Sequence, residues 1–370
     1  MTRKIICIVG TRPEAIKMAP VILELREKIK SHSVKLVSTG QHREMLTQTL
    51  SIFGLRPDLD LEIMQPDQSL SELTSRLILK LDAVLAREQP DWVLAQGDTT
   101  SVLAASLVSF YQKRCFGHVE AGLRTGDYLN PFPEEMNRRI ADLAASAYFA
   151  PTQGAAQALR KEGIAENKIH VTGNTVIDAL QWMVASGKLP DPRAKLGLPK
   201  NSELVLITAH RRESFGPQFK DICLAILQLA EKHPKIQFVY PVHLNPHVQK
   251  PVKEILGHQP NIHLVEPLDY ASLTALMKDS RMILTDSGGI QEEAPTFGVP
   301  VLVMRKTTER PEGVEAGAVR LVGTERATIF QAGDELLTKP FVRWNGANPY
   351  GDGDAARRIV QIVMQEKQAA

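Results

Sequence analysis

Cysteine is scarce in this sequence: the 370 residues include three, and no two of them are close together in the chain. An odd number of cysteines without short spacings is typical of neither a disulfide framework nor a zinc site. Each of them lies in or beside an apolar stretch, so we predict reduced thiols in the protein core. They are Cys7, Cys115 and Cys223.

An excess of charge of either sign is also lacking, since 44 lysines and arginines stand against 42 aspartates and glutamates. This balance gives no global attraction to nucleic acid or to a membrane surface, so any anion site must be local. No apolar run approaches the ~20 residues of a membrane-spanning helix. The run Ile5–Val9 is too short for a signal peptide, and charged residues soon follow it. We therefore predict a cytoplasmic protein with no nucleic-acid or membrane partner.

The motifs of common nucleotide and metal enzymes are missing as well. No G-x-G-x-x-G fingerprint follows a predicted strand, and the first such loop, Gly10–Glu14, has an arginine and a proline where that fingerprint needs glycines. The sequence has neither a Walker A motif nor clustered histidine ligands. The sequence thus lacks the motifs that dinucleotide redox chemistry, ATP hydrolysis and metal-dependent hydrolysis require. We predict an enzyme without a cofactor or a metal.

Short apolar runs rich in valine and isoleucine alternate with longer amphipathic segments along the whole chain. Alternating strands and helices predict parallel sheets with helices on both faces, and the length predicts about two domains. The predicted fold class is therefore α/β, with two doubly wound domains that face each other across a cleft. The predicted strands are Lys4–Val9, Val34–Ser38, Asp91–Ala95, Cys115–Val119, Ala147–Ala150, Lys168–Val171, Glu203–Thr208, Ile236–Tyr240, Ile262–Val265, Arg281–Thr285 and Val299–Met304.

Two irregular stretches suggest where the domains begin and end. Ser186–Asn201 is rich in glycine and proline, which is typical of a linker. Trp344–Asp354 contains further glycines and precedes the last predicted helix. We predict an N-terminal domain over residues 1–186, a C-terminal domain over residues 187–352, and a final helix in residues 353–370 that packs back on the first domain.

Polar residues of functional types follow six of the predicted strands. In open parallel sheets, ligands bind beyond the carboxyl ends of the strands, where helix N-termini also point. One polar loop means little, because solvent-facing loops are usually polar, but six of them in both domains indicate one shared site. The loops contain Gly10–Glu14, Gly97–Thr100, His118–Asp127, His210–Glu213, Asp286–Gly289 and Arg305–Arg310.

Two of these loops have features of a phosphate site. Gly10–Pro13 permits a sharp turn into a helix, so Arg12 is expected near the positive end of that helix; a plain turn with a solvated arginine is the alternative. Ser287–Gly289 opens a helix straight after a strand and can cradle a pyrophosphate with backbone N–H groups, although a capped tight turn has the same pattern. Glu293, one turn on, is placed either to reach ribose hydroxyls or to be an ordinary surface residue.

Three carboxylates are candidates for acid–base chemistry: Asp98, Glu120 and Glu134. The first two follow neighbouring predicted strands. Glu134 begins a helix, and Arg138 lies one turn on at the spacing of an ordinary surface ion pair, which spacing alone favours. His210 comes directly after an apolar strand and is placed to bind a phosphate or a sugar oxygen; a hydrogen-bonded structural histidine is the alternative.

Longer motifs occur in order from residue 10 to residue 351. They are Gly10–Pro20 (GTRPEAIKMAP), Gln41–Met45 (QHREM), Gly97–Thr100 (GDTT), His118–Asp127 (HVEAGLRTGD), Pro131–Arg138 (PFPEEMNR), His210–Ser214 (HRRES), Asp286–Pro295 (DSGGIQEEAP), Thr308–Pro311 (TERP) and Tyr350–Gly351 (YG). Ordered motifs of this length are far more specific than a lone glycine pattern. They cover nearly the whole chain and resemble those of the non-hydrolysing UDP-N-acetylglucosamine 2-epimerases of bacteria.

The resemblance implies two Rossmann-like domains of the glycosyltransferase B type, a homodimer and a role in cell-envelope polysaccharide synthesis. It also implies roles for individual residues. Those that match positions of catalysis or of the sugar end are Asp98, Glu120, Glu134, Arg138 and His210. Those that match phosphate or nucleotide contacts are Arg12 and Lys17, and those that match the UDP site are Ser287, Gly288, Gly289, Glu293 and Arg310.

The reaction implied is the interconversion of UDP-N-acetylglucosamine and UDP-N-acetylmannosamine. Carbon 2 carries an acetamido group, so transient oxidation to a ketone is unavailable there. Loss of UDP from carbon 1, while a carboxylate removes the proton on carbon 2, leaves a 2-acetamidoglucal, and UDP then returns. The alternatives are a hydrolysing epimerase, an epimerase of a related UDP-2-acetamido sugar, a retaining UDP-sugar glycosyltransferase and a sugar-nucleotide-binding module.

A second, regulatory ligand site is also implied by the resemblance. Gln41, in the motif after the second strand, matches a position near a second UDP-N-acetylglucosamine in relatives, as do Arg211 and His243. A ligand there would raise activity in proportion to its preference for the closed state over the open state.

Overall fold

The computed structural model describes residues 3–30, 33–40, 43–65 and 67–365. Contacts divide the chain into two compact units: Met1–Trp182 with Tyr350–Ala370, and Met183–Pro349. The chain thus leaves the first unit and returns to it near the C-terminus. The chain passes from the first unit to the second within a helix, Thr175–Ala185, and not in an irregular stretch.

The sheet of the first unit is parallel throughout its described strands and has the order β3-β2-β1-β4-β5-β6-β7. The central strands are buried along their whole length, as parallel strands covered on both faces should be. The order reverses direction at β1, so the carboxyl ends of β1 and β4 flank the position where a doubly wound sheet binds its ligand. The strands are β1 (Ile5–Val9), β2 (Val34–Ser38), β3 (Leu59–Asp60), β4 (Trp92–Gln96), β5 (Cys115–Val119), β6 (Ala147–Ala150) and β7 (Ile169–Val171).

Helices cover this sheet, and two of them, Leu70–Glu88 and Gln153–Lys161, begin with a side-chain cap. In the third helix, Ser69 accepts a hydrogen bond from the Glu72 backbone while the Glu72 carboxylate accepts one from the Ser69 backbone, a reciprocal capping box. The helices are α1 (Arg12–Lys28), α2 (Arg43–Ile52), α3 (Leu70–Glu88), α4 (Thr100–Tyr111), α5 (Glu134–Ala144), α6 (Gln153–Lys161), α7 (Thr175–Ala185) and α15 (Ala355–Gln365).

The second unit repeats the arrangement with its own parallel sheet and its own apolar core. Its strands are β8 (Leu204–Thr208), β9 (Gln237–Pro241), β10 (Ile262–Val265), β11 (Ser280–Thr285), β12 (Val301–Val303) and β13 (Val319–Leu321). Their order in the sheet is β10-β9-β8-β11-β12-β13. The helices are α8 (Pro192–Leu196), α9 (Pro217–Lys232), α10 (Pro246–Leu256), α11 (Tyr270–Asp279), α12 (Gly288–Glu293), α13 (Pro311–Glu315) and α14 (Arg326–Thr338). The predicted class, two doubly wound α/β domains, is confirmed.

The stretch predicted as a linker, Ser186–Asn201, contains helix α8, and this interpretation has to be corrected. Asp191 caps the helix by accepting a hydrogen bond from the Arg193 backbone at 2.9 Å, and Gly197 ends it in the left-handed conformation, with φ of +65°. The helix packs on α11 of the second unit. Two of the residues that suggested a linker, Pro192 and Gly197, are therefore the start and stop residues of a short helix.

The last helix, α15, belongs to the first unit and packs against α1. Arg3, just before β1, donates a hydrogen bond to the Val363 carbonyl of α15. Asp178 of α7 accepts one from the Ala356 backbone at 2.8 Å, at the start of α15. Among the described residues, no helix is both long and apolar enough to cross a membrane.

Candidate active site

The loop between β1 and α1 is tied to the loop after β4 by one buried carboxylate. Glu14 accepts hydrogen bonds from the Gly10 and Thr11 backbones at 2.7 and 2.6 Å, and from the Thr99 hydroxyl at 2.5 Å. A Cβ atom at Gly10 would lie 2.4 Å from the Ser101 hydroxyl, so only glycine lets the backbone at residue 10 come this close to Ser101. The turn that carries Arg12, the first residue of α1, is therefore held rigidly beside the neighbouring strand ends.

Lys17, in the second turn of α1, and Glu120, directly after β5, form a buried ion pair. The Lys17 Nζ atom lies 2.5 Å from the Glu120 Oε2 atom, and both side chains are about nine-tenths buried, with 10% and 8% exposed. Glu120 has a φ of +68°, a conformation that non-glycine residues rarely adopt and that often marks a functional position. The Glu120 backbone N–H donates to the Phe149 carbonyl at 3.0 Å, which helps to hold that conformation.

Asp98, directly after β4, is bound by two residues of α5. Arg138 donates a hydrogen bond to the Asp98 carboxylate, and the Asn137 amide donates to the Asp98 carbonyl at 2.9 Å. Arg138 also contacts the Glu135 carboxylate at 3.3 Å and is buried. The surface pair of Glu134 with Arg138 that the spacing favoured is thus wrong, because α5 turns Arg138 inward towards Asp98 and Glu135.

Glu134 begins α5 and is partly buried. Within the part of the chain that the structure describes, its buried Oε2 atom has no hydrogen-bond partner. A buried carboxylate oxygen without a hydrogen-bond partner destabilises the fold, which suggests that a bound ligand supplies the missing hydrogen bond. Glu134 is one helical turn from Arg138, and Arg138 contacts Asp98. The three residues therefore lie close to one another in the first unit.

Together these residues form what we call the carboxylate cluster: Lys17, Asp98, Glu120, Glu134 and Arg138. The cluster lies at the carboxyl ends of β4 and β5, whose last residues Gln96 and Val119 are paired in the sheet. Lys17 and Arg138 each compensate one carboxylate, so the cluster can hold charged carboxylates in a largely buried place. Such groups can remove a proton from a ligand and return one to it.

In the second unit, Asp286 organises the loop after β8. The Asp286 Oδ2 atom accepts hydrogen bonds from the His210 and Arg211 backbones, both at 2.7 Å, and the side chain is fully buried. The His210 ring stacks on His243, with ring centres 5.2 Å apart. Burial lowers the pKa of His210; Asp286 opposes this shift, whereas His243 and Arg211 add to it. On balance these effects favour the neutral imidazole, which can donate or accept a hydrogen bond.

The glycines after β11 make room for an arginine from the loop after β12. A Cβ atom at Gly288 would lie 2.8 Å from the Arg310 guanidinium carbon, so Arg310 lies directly against this backbone. Its Nε atom donates to the Glu292 carboxylate at 2.9 Å, which orients the guanidinium. Ser287 precedes α12, and among the described residues its side chain makes no capping hydrogen bond to that helix. Glu293 lies beside Gly289, since a Cβ atom there would be 3.5 Å from its Oε1 atom.

Arg305 is a buried residue of this region that the sequence did not single out as a site residue. Its guanidinium contacts Glu213, in the loop after β8, at 2.6 Å and both carboxylate oxygens of Glu309 at 2.8 and 3.0 Å. Burial works against a charge on Glu309, but Arg305 outweighs it and lowers the pKa of Glu309 to about 2. Arg305 therefore joins the loop that carries His210 to the loop that carries Arg310.

The three residues predicted for a second ligand are only partly placed. His243 and Arg211 lie next to His210 in the second unit. The His243 Nδ1 atom accepts a hydrogen bond from the Asn245 backbone at 3.1 Å. Gln41 falls outside the described residues. Within the described ranges, no group of three or more histidine, cysteine, aspartate or glutamate side chains is arranged to hold a metal ion.

Comparisons with known proteins point to one family. Residues 24–364 match the family model described as UDP-N-acetylglucosamine 2-epimerase. The UDP-N-acetylglucosamine 2-epimerase of Escherichia coli K12 is 49% identical over 376 residues, which cover 98% of this chain and 99% of the relative. The crystal structure of UDP-GlcNAc 2-epimerase from Neisseria meningitidis bound to UDP-GlcNAc matches with a TM-score of 0.91 and 48% identity, over 98% of this chain and 100% of that chain. The MnaA–UDP co-structure from S. aureus matches with a TM-score of 0.88 and 45% identity, over 98% and 96%.

Proposed function

Because the chain belongs to the UDP-N-acetylglucosamine 2-epimerase family, we propose that it inverts carbon 2 of UDP-N-acetylglucosamine to give UDP-N-acetylmannosamine, without a cofactor. The observation that carries this proposal is the carboxylate cluster, which brings three candidate acid–base groups to the carboxyl ends of neighbouring strands in the first sheet. An epimerisation needs a group that removes a proton from one face of carbon 2 and a group that returns one to the other face. The carboxylates of the cluster are our candidates for both groups.

The first chemical step is an elimination. A carboxylate of the cluster takes the proton from carbon 2, the electron pair of that bond forms a double bond between carbons 1 and 2, and the bond from carbon 1 to UDP breaks. The products are 2-acetamidoglucal, UDP and a protonated carboxyl group. This route suits a carbon that bears an acetamido group, because that carbon has no hydroxyl to oxidise and its proton is only weakly acidic.

The second step reverses the first on the opposite face. A carboxyl group delivers a proton to carbon 2 while UDP adds again to carbon 1, so no atom is gained or lost overall. Asp98, Glu120 and Glu134 are the proposed proton carriers, and Arg138 holds Asp98 in place. Lys17 compensates the charge of Glu120 and is also the proposed phosphate contact, together with Arg12.

UDP is the leaving group, and we assign it to the second unit. At the carboxyl end of β11, the loop Ser287–Gly289 supplies backbone N–H groups and Arg310 supplies a guanidinium. His210 is a further proposed contact to the diphosphate. Positive groups fixed before the reaction stabilise the charge that develops on a departing diphosphate. Glu293, beside Gly289, is the proposed contact to the ribose hydroxyls.

Incubation of the full chain with UDP-N-acetylglucosamine alone in deuterium oxide, followed by proton NMR, tests the reaction. We expect UDP-N-acetylmannosamine to form, and both the product and the recovered substrate to gain deuterium at carbon 2, because the proton exchanges with solvent in the elimination state. Product that keeps full protium at carbon 2 would contradict the elimination. Release of free N-acetylmannosamine would indicate a hydrolysing enzyme, and no reaction without an added acceptor would indicate a glycosyltransferase.

Replacement of Arg310 by alanine tests the UDP assignment. We expect the affinity for UDP, measured by calorimetry, to fall about tenfold, because a charge-assisted hydrogen bond to a phosphate is lost. The loss is moderated by Glu292 and Glu309, which already compensate part of the arginine charge. The matched control is Arg320→Ala, which removes an exposed arginine paired with Glu335 and should bind UDP normally. Equal affinity of Arg310→Ala and the wild type would remove Arg310 from the site.

We also propose that the protein is a cytoplasmic homodimer that supplies a precursor for cell-envelope polysaccharide. Large apolar side chains are exposed on three helices that pack side by side, α3, α4 and α5. Exposed apolar patches of this kind are typical of interaction surfaces, and a second copy of the chain would cover them. The residues are Leu79, Phe110, Tyr111 and Leu143.

Regulation by a second UDP-N-acetylglucosamine stays a prediction for this chain. Its support is the position of Arg211 and His243, which are next to His210 and are not needed for the elimination itself. A ligand there would act on activity only through a difference in its affinity for two states of the protein.

A further inference from the structure

His118 is a fully buried residue of β5 that the elimination does not use. Both nitrogens of its ring face an acceptor: Nδ1 lies 2.6 Å from the Asp142 Oδ1 atom, and Nε2 lies 2.7 Å from the Gly97 carbonyl oxygen. A neutral imidazole has one N–H donor and could serve one of these partners. Because a carboxylate and a carbonyl both need a donor, His118 carries both protons and is a buried cation.

Asp142 is the centre of the contacts around His118. Besides the ring, its carboxylate accepts hydrogen bonds from the Arg124 guanidinium at 2.6 Å and from the Gly122 backbone at 3.3 Å. Arg124 is itself held by Glu162 through two hydrogen bonds of 2.8 and 2.7 Å. Burial works against the charges, but the pairing outweighs it, so the pKa of His118 is raised and that of Asp142 is lowered.

The pair touches each of the three segments that carry the proposed proton carriers. Through Gly97 it holds the residue before Asp98. His118 itself is two residues before Glu120 in the chain, and Asp142 binds the Gly122 backbone two residues after it. Asp142 also lies on α5, the helix that begins at Glu134.

We propose that His118 and Asp142 form a positioning pair that sets the relative placement of Asp98, Glu120 and Glu134. The proposal rests on the proposed function for the meaning of that placement, although the contacts themselves do not. A buried ion pair adds little net stability to a fold, since well-packed apolar residues of similar size stabilise it as well or better. An ion pair with directed hydrogen bonds does fix the geometry of the groups it joins, and proton transfer is sensitive to displacements of about 1 Å.

Two replacements of His118 separate its two contacts. His118→Gln keeps a donor at the position of Nε2, towards Gly97, and loses the contact with Asp142. His118→Asn keeps a donor at the position of Nδ1, towards Asp142, and releases Gly97. Asp142→Asn removes the charge from the centre of the pair. The control is His170→Gln in β7, a histidine of the same unit at the edge of the sheet.

We expect all three variants to lower the turnover number for UDP-N-acetylglucosamine roughly 10- to 100-fold, with KM changed less than about threefold, because placement and not binding is lost. UDP affinity should equal that of the wild type, because the contacts of His118 and Asp142 described above involve none of the residues assigned to UDP. His118→Asn should be the slower of the two histidine variants, because it frees the loop of Asp98. Hydrogen exchange should rise in peptides that cover residues 97–100 for His118→Asn and residues 120–127 for Asp142→Asn, and should be unchanged for His170→Gln.

Variants with normal turnover and normal local exchange would overturn the positioning role. So would variants in which turnover falls only in proportion to the folded fraction, with no local change in exchange, because that result indicates a purely structural pair. If the wild type does not epimerise UDP-N-acetylglucosamine, the proposed function is wrong, and the exchange measurement still decides whether the pair holds these segments.

Discussion

Replacement of each proposed proton carrier by its amide, Asp98→Asn, Glu120→Gln and Glu134→Gln, should lower the turnover number by roughly 10²–10⁴. The amide keeps the size and part of the hydrogen bonding of the carboxylate but cannot carry the proton. UDP affinity by calorimetry should stay close to that of the wild type for Asp98→Asn and Glu134→Gln, since most of the UDP contacts are assigned to the second unit. Glu120→Gln should change it more, because Lys17, the partner of Glu120, is a proposed phosphate contact. A steady-state assay with UDP-N-acetylglucosamine, read by proton NMR, measures the effect.

The three variants should differ in stability, which separates lost chemistry from lost structure. Glu120→Gln removes the carboxylate charge from the buried ion pair with Lys17 and should cost roughly 3 kcal/mol of unfolding free energy. Glu134→Gln should cost little, because its buried Oε2 atom has no hydrogen-bond partner among the described residues. The matched control is Glu166→Gln, an exposed glutamate paired with Arg160, which should have normal turnover. A carboxylate variant with near-normal turnover would remove that residue from the mechanism.

Most of the fold was predictable because its central strands are continuous apolar runs. The prediction placed the ends of strands such as β2, β5 and β6 at the observed residues, since buried parallel strands end where polar loops begin. It missed β3 and β13, which are two and three residues long. Both are edge strands, and a segment of that length has no hydrophobic period. Their pairing depends on a neighbouring strand that the local sequence does not reveal.

The candidate site was predictable at the level of loops but not of partners. The polar residues after β4, β5, β8, β11 and β12 are where the rule for parallel sheets puts them. The partner of Arg138 was not predictable, because Glu134 and Glu135 are consecutive and spacing cannot tell which one the helix turns inward. The observed partner Asp98 is 40 residues away in the chain, a separation at which helix spacing carries no information.

The pair of His118 and Asp142 had a weaker signal that the sequence did contain. His118 stands in the otherwise apolar run Cys115–Val119, and Asp142 stands among apolar residues near the end of α5. A charged side chain on the buried face of a helix or strand needs a partner of opposite charge. Two such residues in one domain are therefore candidates for an ion pair with each other. The suggestion does not identify the pair, since their contact depends on how α5 lies on the sheet.

Asp178 should make the stability of the first unit depend on pH. It lies on α7 and is buried, and its Oδ1 atom accepts a hydrogen bond from the Ala356 backbone at the start of α15. Burial is the largest cause that raises the pKa of Asp178 from 3.8 to about 6; the backbone donors oppose the shift, and Asp352 adds to it. The folded state therefore holds this proton more tightly than the unfolded state. Its stabilising contribution is complete below about pH 4 and is lost as the pH rises through about 6, a change of about 3 kcal/mol.

Calorimetric melting of the wild type and of Asp178→Asn between pH 4 and pH 8 isolates this contribution. The difference between the two melting temperatures should change by roughly 5–10 °C across the series, because the other titrating groups are common to both proteins and 1 kcal/mol corresponds to a few degrees in a unit of this size. The absolute melting temperature of the variant is less informative, since its amide N–H group replaces the Oδ2 atom, which has no hydrogen-bond partner within the described residues. Asp191→Asn, which changes an exposed aspartate that caps α8, is the control and should show the pH dependence of the wild type. Parallel pH curves for Asp178→Asn and the wild type would show that Asp178 does not titrate in this range.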